Sequence, residues 1–349
     1  MFKSVEITTK QVMQFGTYQS LKNLTTNQQV GALFLIVFGV LVIASIVTFL
    51  LSLREYGDDA HGQRRHHDLR NLEGVISTSW MMALVFWLGW VSGTTVALVL
   101  FGFVSFFCLR EFLTLSPTKR GDHRSLILAF FVILPMQYWL VGTARFELFT
   151  VFIPVYVFLL IPVVSALAND SERFLERNAK LQWGIMVCIY GLSHVPALLL
   201  LEFPKYSNKN SFLVFFLVIV VQVSQLVQHL VSRIWKWKPL VPNISQSFNW
   251  GSVLIGVAVG SALGGALAGI TPFVPGQAFV MAFVACVAGC LGHLVMKALK
   301  RDRGIPIWRS ERGNMRSGVT GAGGLLDRVD ALCFAAPVFF HFVQWYFDL

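Results

Sequence analysis

Charge is scarce in this chain. Only 13% of its 349 residues are Asp, Glu, Lys or Arg, and the 18 acidic residues are outnumbered by 28 basic ones. Soluble domains carry roughly a quarter charged residues, so the 55% apolar content excludes an ordinary water-exposed surface and asks for a bilayer as solvent. Long polar stretches are also few. The longest are 54–78 and 297–330, too short for a separate soluble domain. Cysteine is sparse, and Cys108, Cys188, Cys286, Cys290 and Cys333 all fall in apolar segments. Cys286 and Cys290 share a helix face, but buried free thiols are expected there rather than a metal pair or a disulfide. A cleavable leader is not expected, because the first apolar run follows a polar segment, exceeds a signal core in length and is not followed by a small-residue cleavage pattern.

What the chain does have is apolar runs of membrane-crossing length, since about 20 residues span the hydrocarbon and every backbone amide must be satisfied within the segment. The runs are 30–51, 80–89, 94–109, 126–141, 148–167, 181–201, 212–231, 250–270, 278–296 and 331–347. The second and third come from one block, split at Gly89-Trp90-Val91-Ser92-Gly93. A single tilted helix is the competing reading, and charge decides between them. With the split, most of the 28 basic residues collect on one face, in the loops holding Arg54 to Arg70, Arg110 to Arg124, Arg173 to Lys180, Arg233 to Lys238 and Lys297 to Arg328, as cytoplasmic loops require. The expected fold is therefore all-α and polytopic, with about ten membrane helices, both termini outside and the basic loops cytoplasmic. Residues 1–29 form an extracytoplasmic segment and 30–349 one integral membrane domain. A bacterial inner membrane is the expected location.

Several features carry a structural and a functional reading. The cluster His61, Arg64, Arg65, His66, His67 lacks thiolates and ordered spacing, so a solvated basic loop near anionic headgroups is preferred to a metal site. Gly256, Gly260 and Gly264 repeat every four residues, which lets helices approach closely; lining a lipid cavity is the alternative. Gln222, Gln225, His229 and Arg233 give one helix a polar face, divided between interhelical hydrogen bonding and lining a substrate cavity. His194 reads as a core histidine before a ligand, and Glu111 is expected to pair with a neighbouring cation.

The stretch before the last helix is different. His293, Lys297, Lys300 and Arg301 continue one helix face out of the membrane, and cations at a helix C-terminus are favourable in any case. A loop with Arg309, Arg312 and Arg316 follows, then Gly321-Ala322-Gly323-Gly324, then Asp327 and Asp330 one turn apart. Glycines let backbone approach a ligand, Arg and Lys neutralise phosphate oxygens, and carboxylates on one helix face can hold Mg²⁺. Phosphate, metal and membrane are implied together.

Lys300-Arg301, Gly321-Ala322-Gly323-Gly324-Leu325-Leu326-Asp327-Arg328-Val329-Asp330 and Ala335-Ala336-Pro337-Val338 resemble the signature of the phosphatidate cytidylyltransferases, the CDP-diacylglycerol synthases. Weaker likeness reaches Pro242 to Trp250, Arg110-Glu111-Phe112 and Phe146-Glu147-Leu148, with 203–349 the most similar portion. The resemblance implies a reaction of CTP with phosphatidate giving CDP-diacylglycerol and pyrophosphate, with Mg²⁺ as cofactor. It implies Lys300, Arg301, Asp327 and Arg328 as catalytic residues, Ser245, Gly323, Gly324 and Gln225 as substrate-binding, and Asp327, Asp330 and His293 as metal ligands. Expected partners are phosphatidate or another anionic phospholipid, CTP, the membrane and, as one option, a second copy of the chain; no nucleic acid is expected. The chain also departs from the signature. Gly292-His293 stands for Gly-Asp, Met296-Lys297 for Glu-Ser, and Ala322 for the glycine-loop histidine. Gln225 stands for an intramembrane aspartate, Asn243 to Asn249 for a lysine-rich segment, and Pro306-Ile307 for Lys-Asp. An altered relative that binds anionic lipid or nucleotide and modulates a partner is thus the alternative to an active transferase. A transporter is a distant third, since no inverted repeat with broken helices is present.

Overall fold

The computed structural model describes residues 26–53, 91–114, 119–203, 210–302 and 324–348, apart from single positions within them, and scattered residues from 76 to 90. Among these the chain is helical with no strand, only a lone bridge between Val241 and Ser245. Two compact units divide at Trp87. The first contains α1 (Thr26–Ser52), whose Ser45 Oγ accepts a hydrogen bond from Trp80 Nε1 at 3.1 Å while Phe38 stacks on the Trp80 ring. Residues 1–25, and with them most of the expected extracytoplasmic segment, lie outside the described residues, as does the His61 to His67 cluster.

The second unit holds α2 (Thr94–Thr114), α3 (His123–Gly142), α4 (Phe146–Ala166), α5 (Phe174–Leu200), α6 (Ser211–Ile234), α7 (Trp250–Ile270), α8 (Pro275–Asp302) and α9 (Leu326–Phe347). Seven helices among the described residues, α2 to α8, are long and apolar enough to cross a membrane. The chain is thus a multi-pass membrane protein. The split before α2 is visible directly. Gly93 has φ +86°, and a Cβ on Gly89 would lie 3.3 Å from that of Ala97. Eight residues of continuous helix would hold these positions about 12 Å apart along the axis. The chain therefore turns back at Gly93, where a side chain would be strained. The expected helix at 80–89 is described only in part.

Helix packing follows the small residues. A Cβ on Gly256 would meet the Ser224 carbonyl at 2.7 Å, one on Gly260 the Cys286 sulfur at 2.6 Å, and one on Gly264 the Ala282 Cβ at 2.2 Å. The glycine stripe on α7 thus serves close packing against α6 and α8, as small-residue interfaces do in membranes. A Cβ on Gly292 of α8 would fall 2.4 Å from the Phe334 side chain of α9. Helices α3, α4 and α5 each contain a widened turn, at 129–133, 152–157 and 186–191. All five cysteines are buried and free. His194 is wholly buried, its Nδ1–H donating to the Tyr190 carbonyl at 2.7 Å beside Phe149 and Phe340, which is the core-histidine arrangement.

At one end of the unit the loops are tied down by charge. Arg177, buried at the start of α5, donates from Nε to Asp122 at 2.8 Å and from Nη1 to Asp170 at 2.7 Å and to the Glu172 carbonyl at 2.8 Å. Lys119 pairs with Glu172. The Glu172 backbone N–H, with Arg177, holds the Asp170 carboxyl below its ordinary range, and Lys119 does the same for Glu172.

Candidate functional site

Two helix ends and one loop build the site at this same end of the bundle. Helix α8 runs on through Lys297, Lys300 and Arg301 to Asp302, six residues beyond the apolar run. The helical rise brings His293, Lys297 and Lys300 onto one face at spacings of four and three. Helix α9 starts at Leu326, so Asp327 and Asp330 lie on its first turns. Gly324, with φ +80°, makes the turn that feeds it. The close approach at Gly292 seats these two helix ends together, and opposite charges then meet in order. His293 Nδ1 lies 2.6 Å from Asp330 Oδ2, and Lys300 Nζ is bonded to Asp327 Oδ1. Because a carboxylate only accepts, Nδ1 of His293 carries the proton and Nε2 is the ring atom left for other partners.

The loop between α6 and α7 completes the arrangement. It is held by the Leu240 N–H bonded to the Phe248 carbonyl, and by Asn249, whose Oδ1 caps α7 through the Ser252 N–H at 2.8 Å. Trp237 lies over Gly251, where a Cβ would fall 2.0 Å from the indole. So fixed, the loop presents Ser245 and Ser247, their hydroxyls 3.2 Å apart. Lys297 Nζ donates to both at 3.3 Å.

Glu111 at the end of α2 is fully buried, and its Oε2 accepts the Leu326 N–H at 3.0 Å. The expected cation is Lys300, with which Glu111 interacts electrostatically, and a second partner accompanies it. Among the described residues its hydrogen-bond partner is a backbone amide at the start of α9, where unsatisfied N–H groups carry positive partial charge. Three glutamines of α6 bond to neighbouring helices: Gln222 Nε2 donates to the Arg328 carbonyl and Gln225 Nε2 to the Gly289 carbonyl, each at 3.4 Å, and Gln228 Oε1 accepts from Cys290. At Gln222 and Gln225 the contacts are those of interhelical bonding.

Of the residues singled out in the sequence, the structure brings together Lys300 with Asp327, His293 with Asp330, and Ser245 with Lys297, and sets Gln225 against the α8 backbone. Arg301 is exposed at the α8 end and Arg328 half-buried in the first turn of α9. Gly323, Ala322, Pro306, Ile307, Arg309, Arg312 and Arg316 lie outside the described residues. The contact of Lys297 with Ser247 was missed; its only trace was the spacing of Lys297 from His293 and Lys300.

A Mg²⁺ ion needs carboxylate oxygens that are available to it. Here Asp327 is engaged by Lys300 and Asp330 by His293, and among the described residues no three His, Cys, Asp or Glu side chains converge on one point. As placed, the described residues present no preformed carboxylate set for Mg²⁺.

The chain is a multi-pass helical protein whose last two helices gather cations and motif carboxylates at one end, beside the hydroxyls of the α6–α7 loop. Comparison with known proteins makes this specific. Residues 73–346 match the model of the Cytidylyltransferase family, and the chain belongs to that family. It is 30% identical over 271 residues to the uncharacterized protein YnbB of Escherichia coli (strain K12), covering 77% of this chain and 86% of that one. It is 34% identical over 143 residues to the phosphatidate cytidylyltransferase of Mycobacterium leprae (strain TN), and 30% over 131 residues to that of Mycobacterium bovis (strain ATCC BAA-935 / AF2122/97). These enzyme alignments span 40% and 36% of this chain, and 42% and 40% of the enzymes.

Proposed function

We propose that this protein is a phosphatidate cytidylyltransferase-like enzyme of phospholipid biosynthesis in a bacterial inner membrane, with its site on the cytoplasmic side. The reading rests on one observation above the others: Lys300 of α8 meets Asp327 of the Asp327-Arg328-Val329-Asp330 motif at the end of the bundle where basic residues accumulate. In the reaction, an oxygen of the phosphatidate phosphate attacks the α-phosphorus of CTP. The new P–O bond forms as the bond to the β-phosphate bridging oxygen breaks, and pyrophosphate leaves with that electron pair. Such chemistry asks the protein chiefly for positioning and charge neutralisation. In this reading Lys300, Arg301 and Arg328 spread the triphosphate charge, Asp327 orients Lys300, and Gly323 and Gly324 let backbone approach the phosphates.

A second reading has its own observation. The motif carboxylates are both held by cations of the chain, which suits a relative that binds phosphate-bearing lipid or nucleotide without turnover and modulates a partner. Purified protein in detergent, given CTP and phosphatidate, separates the two. Formation of CDP-diacylglycerol, lost in Asp327→Asn, supports the transferase. Saturable binding with no product under any cation condition removes it and leaves the modulator.

A further inference from the structure

We propose that Lys297, Ser245 and Ser247 form a phosphate-binding site that works without a divalent metal, the lysine supplying the positive charge in place of an ion. The inference deepens the reading above, on which it rests for the identity of the ligand as a phosphate compound.

The three polar atoms form a nearly regular triangle, with sides of 3.3, 3.3 and 3.2 Å. An ammonium has three N–H donors and no acceptor, while each hydroxyl has one donor. Two of the lysine donors go to the serine oxygens, and one serine hydrogen closes the bond between the serines. One N–H and one O–H remain without an acceptor in these contacts. A half-buried cation is costly to leave without an anion. Among the described residues its anion is Asp330, which acts on Lys297 electrostatically from beyond ion-pair distance while bonded to His293; Asp327 is bonded to Lys300 and Glu111 to the α9 amide. A tetrahedral phosphate, whose oxygens accept several hydrogen bonds at once, satisfies what is left over.

The scaffold around the triangle is rigid, which a charge site requires. Ser245 is buried, its backbone N–H bonded to the Val241 carbonyl at 2.9 Å, and the loop is clamped by Asn249 and by Trp237 over Gly251. Metal independence follows from the same contacts. With the motif carboxylates engaged and no group of three metal-binding side chains among the described residues, the chain neutralises phosphate with its own cations. Lys297 occupies a position where the family signature has serine, so this cation belongs to this chain's own version of the site.

The phosphate could be that of a lipid headgroup or of the nucleotide, and calorimetry on the full-length protein distinguishes them. One arm titrates CTP and pyrophosphate into detergent-solubilised protein in excess EDTA. The other compares nanodiscs of phosphatidylcholine alone with nanodiscs containing phosphatidate, also in EDTA. Binding in EDTA that weakens at least tenfold in Lys297→Met, is largely retained in Lys297→Arg, and is not tightened by added Mg²⁺ is the expected result; the arm that shows it names the source. Binding that disappears in EDTA, or that is unchanged in Lys297→Met, overturns the proposal. If Lys297→Met fails to fold, Ser245→Ala/Ser247→Ala answers the same question: a several-fold loss supports the site, and no loss overturns it. CDP-diacylglycerol formed only with Mg²⁺ sinks this inference and keeps the transferase. Metal-free, Lys297-dependent binding without product does the reverse.

Discussion

Replacing Asp330 by asparagine keeps the shape of the side chain and removes its charge at a position only 1% exposed. The lost contact is the 2.6 Å bond to His293 Nδ1, across the junction of α8 and α9. Two magnitudes compete for what that contact is worth. A neutral hydrogen bond between membrane helices contributes on average about 0.6 kcal/mol. A hydrogen bond involving a charged group contributes about 1.5–3 kcal/mol, and its short length here favours the charged kind. The separating measurement is a double-mutant cycle of Asp330→Asn and His293→Gln, read by reversible unfolding of the purified protein in detergent. A coupling of about 1.5–3 kcal/mol is expected. Asp330→Asn alone is expected to cost about 3 kcal/mol or more, because it leaves the neighbouring cationic groups with less compensation. A coupling near 0.6 kcal/mol would show that the pair is an ordinary neutral contact, and the ordering of charges across the two helix ends would lose its basis.

The glycine stripe offers a cleaner packing test: Gly264→Ala drives a methyl into Ala282 and is expected to cost about 1–3 kcal/mol, whereas Gly265→Ala, with its nearest neighbour at 3.7 Å, should be near neutral in the same melting assay. Gly93→Ala meets no atom within 4 Å but must hold φ +86°, so a loss of about 1–2 kcal/mol is expected, and a neutral result would mean that the turn before α2 is not as described. Glu111→Ala strips the acceptor from a buried amide and should lower stability by about 1–3 kcal/mol, with Glu111→Gln recovering most of it in the same melts. The Asp170 and Glu172 carboxyls are held below their ordinary range, so their contribution is present above the unfolded carboxylate pKa and fades as pH falls through the folded values. Melting temperature should therefore drop on acidification, and drop less in Asp170→Asn/Glu172→Gln.

The membrane class and most helix positions were legible because hydropathy acts locally: a run of apolar residues must hydrogen-bond to itself in lipid wherever its neighbours are. The turn at Gly93 was legible for a different reason, since charge asymmetry constrains how often the chain crosses. The Asp327-Arg328-Val329-Asp330 motif made the Cytidylyltransferase family legible through its resemblance to the signature of that family. Which partner each charged side chain takes was not legible. Lys300 with Asp327, His293 with Asp330, Glu111 with the Leu326 amide and Lys297 with two serines are all contacts between residues at least 27 positions apart in sequence. They exist because Gly292 lets α8 and α9 close to a distance no larger residue permits, and because Asn249 and Trp237 fix the loop that carries Ser245. Sequence determined what charges are present at this end of the bundle; only the tertiary packing decided that the carboxylates would be neutralised from within and that a lysine would be left facing hydroxyls.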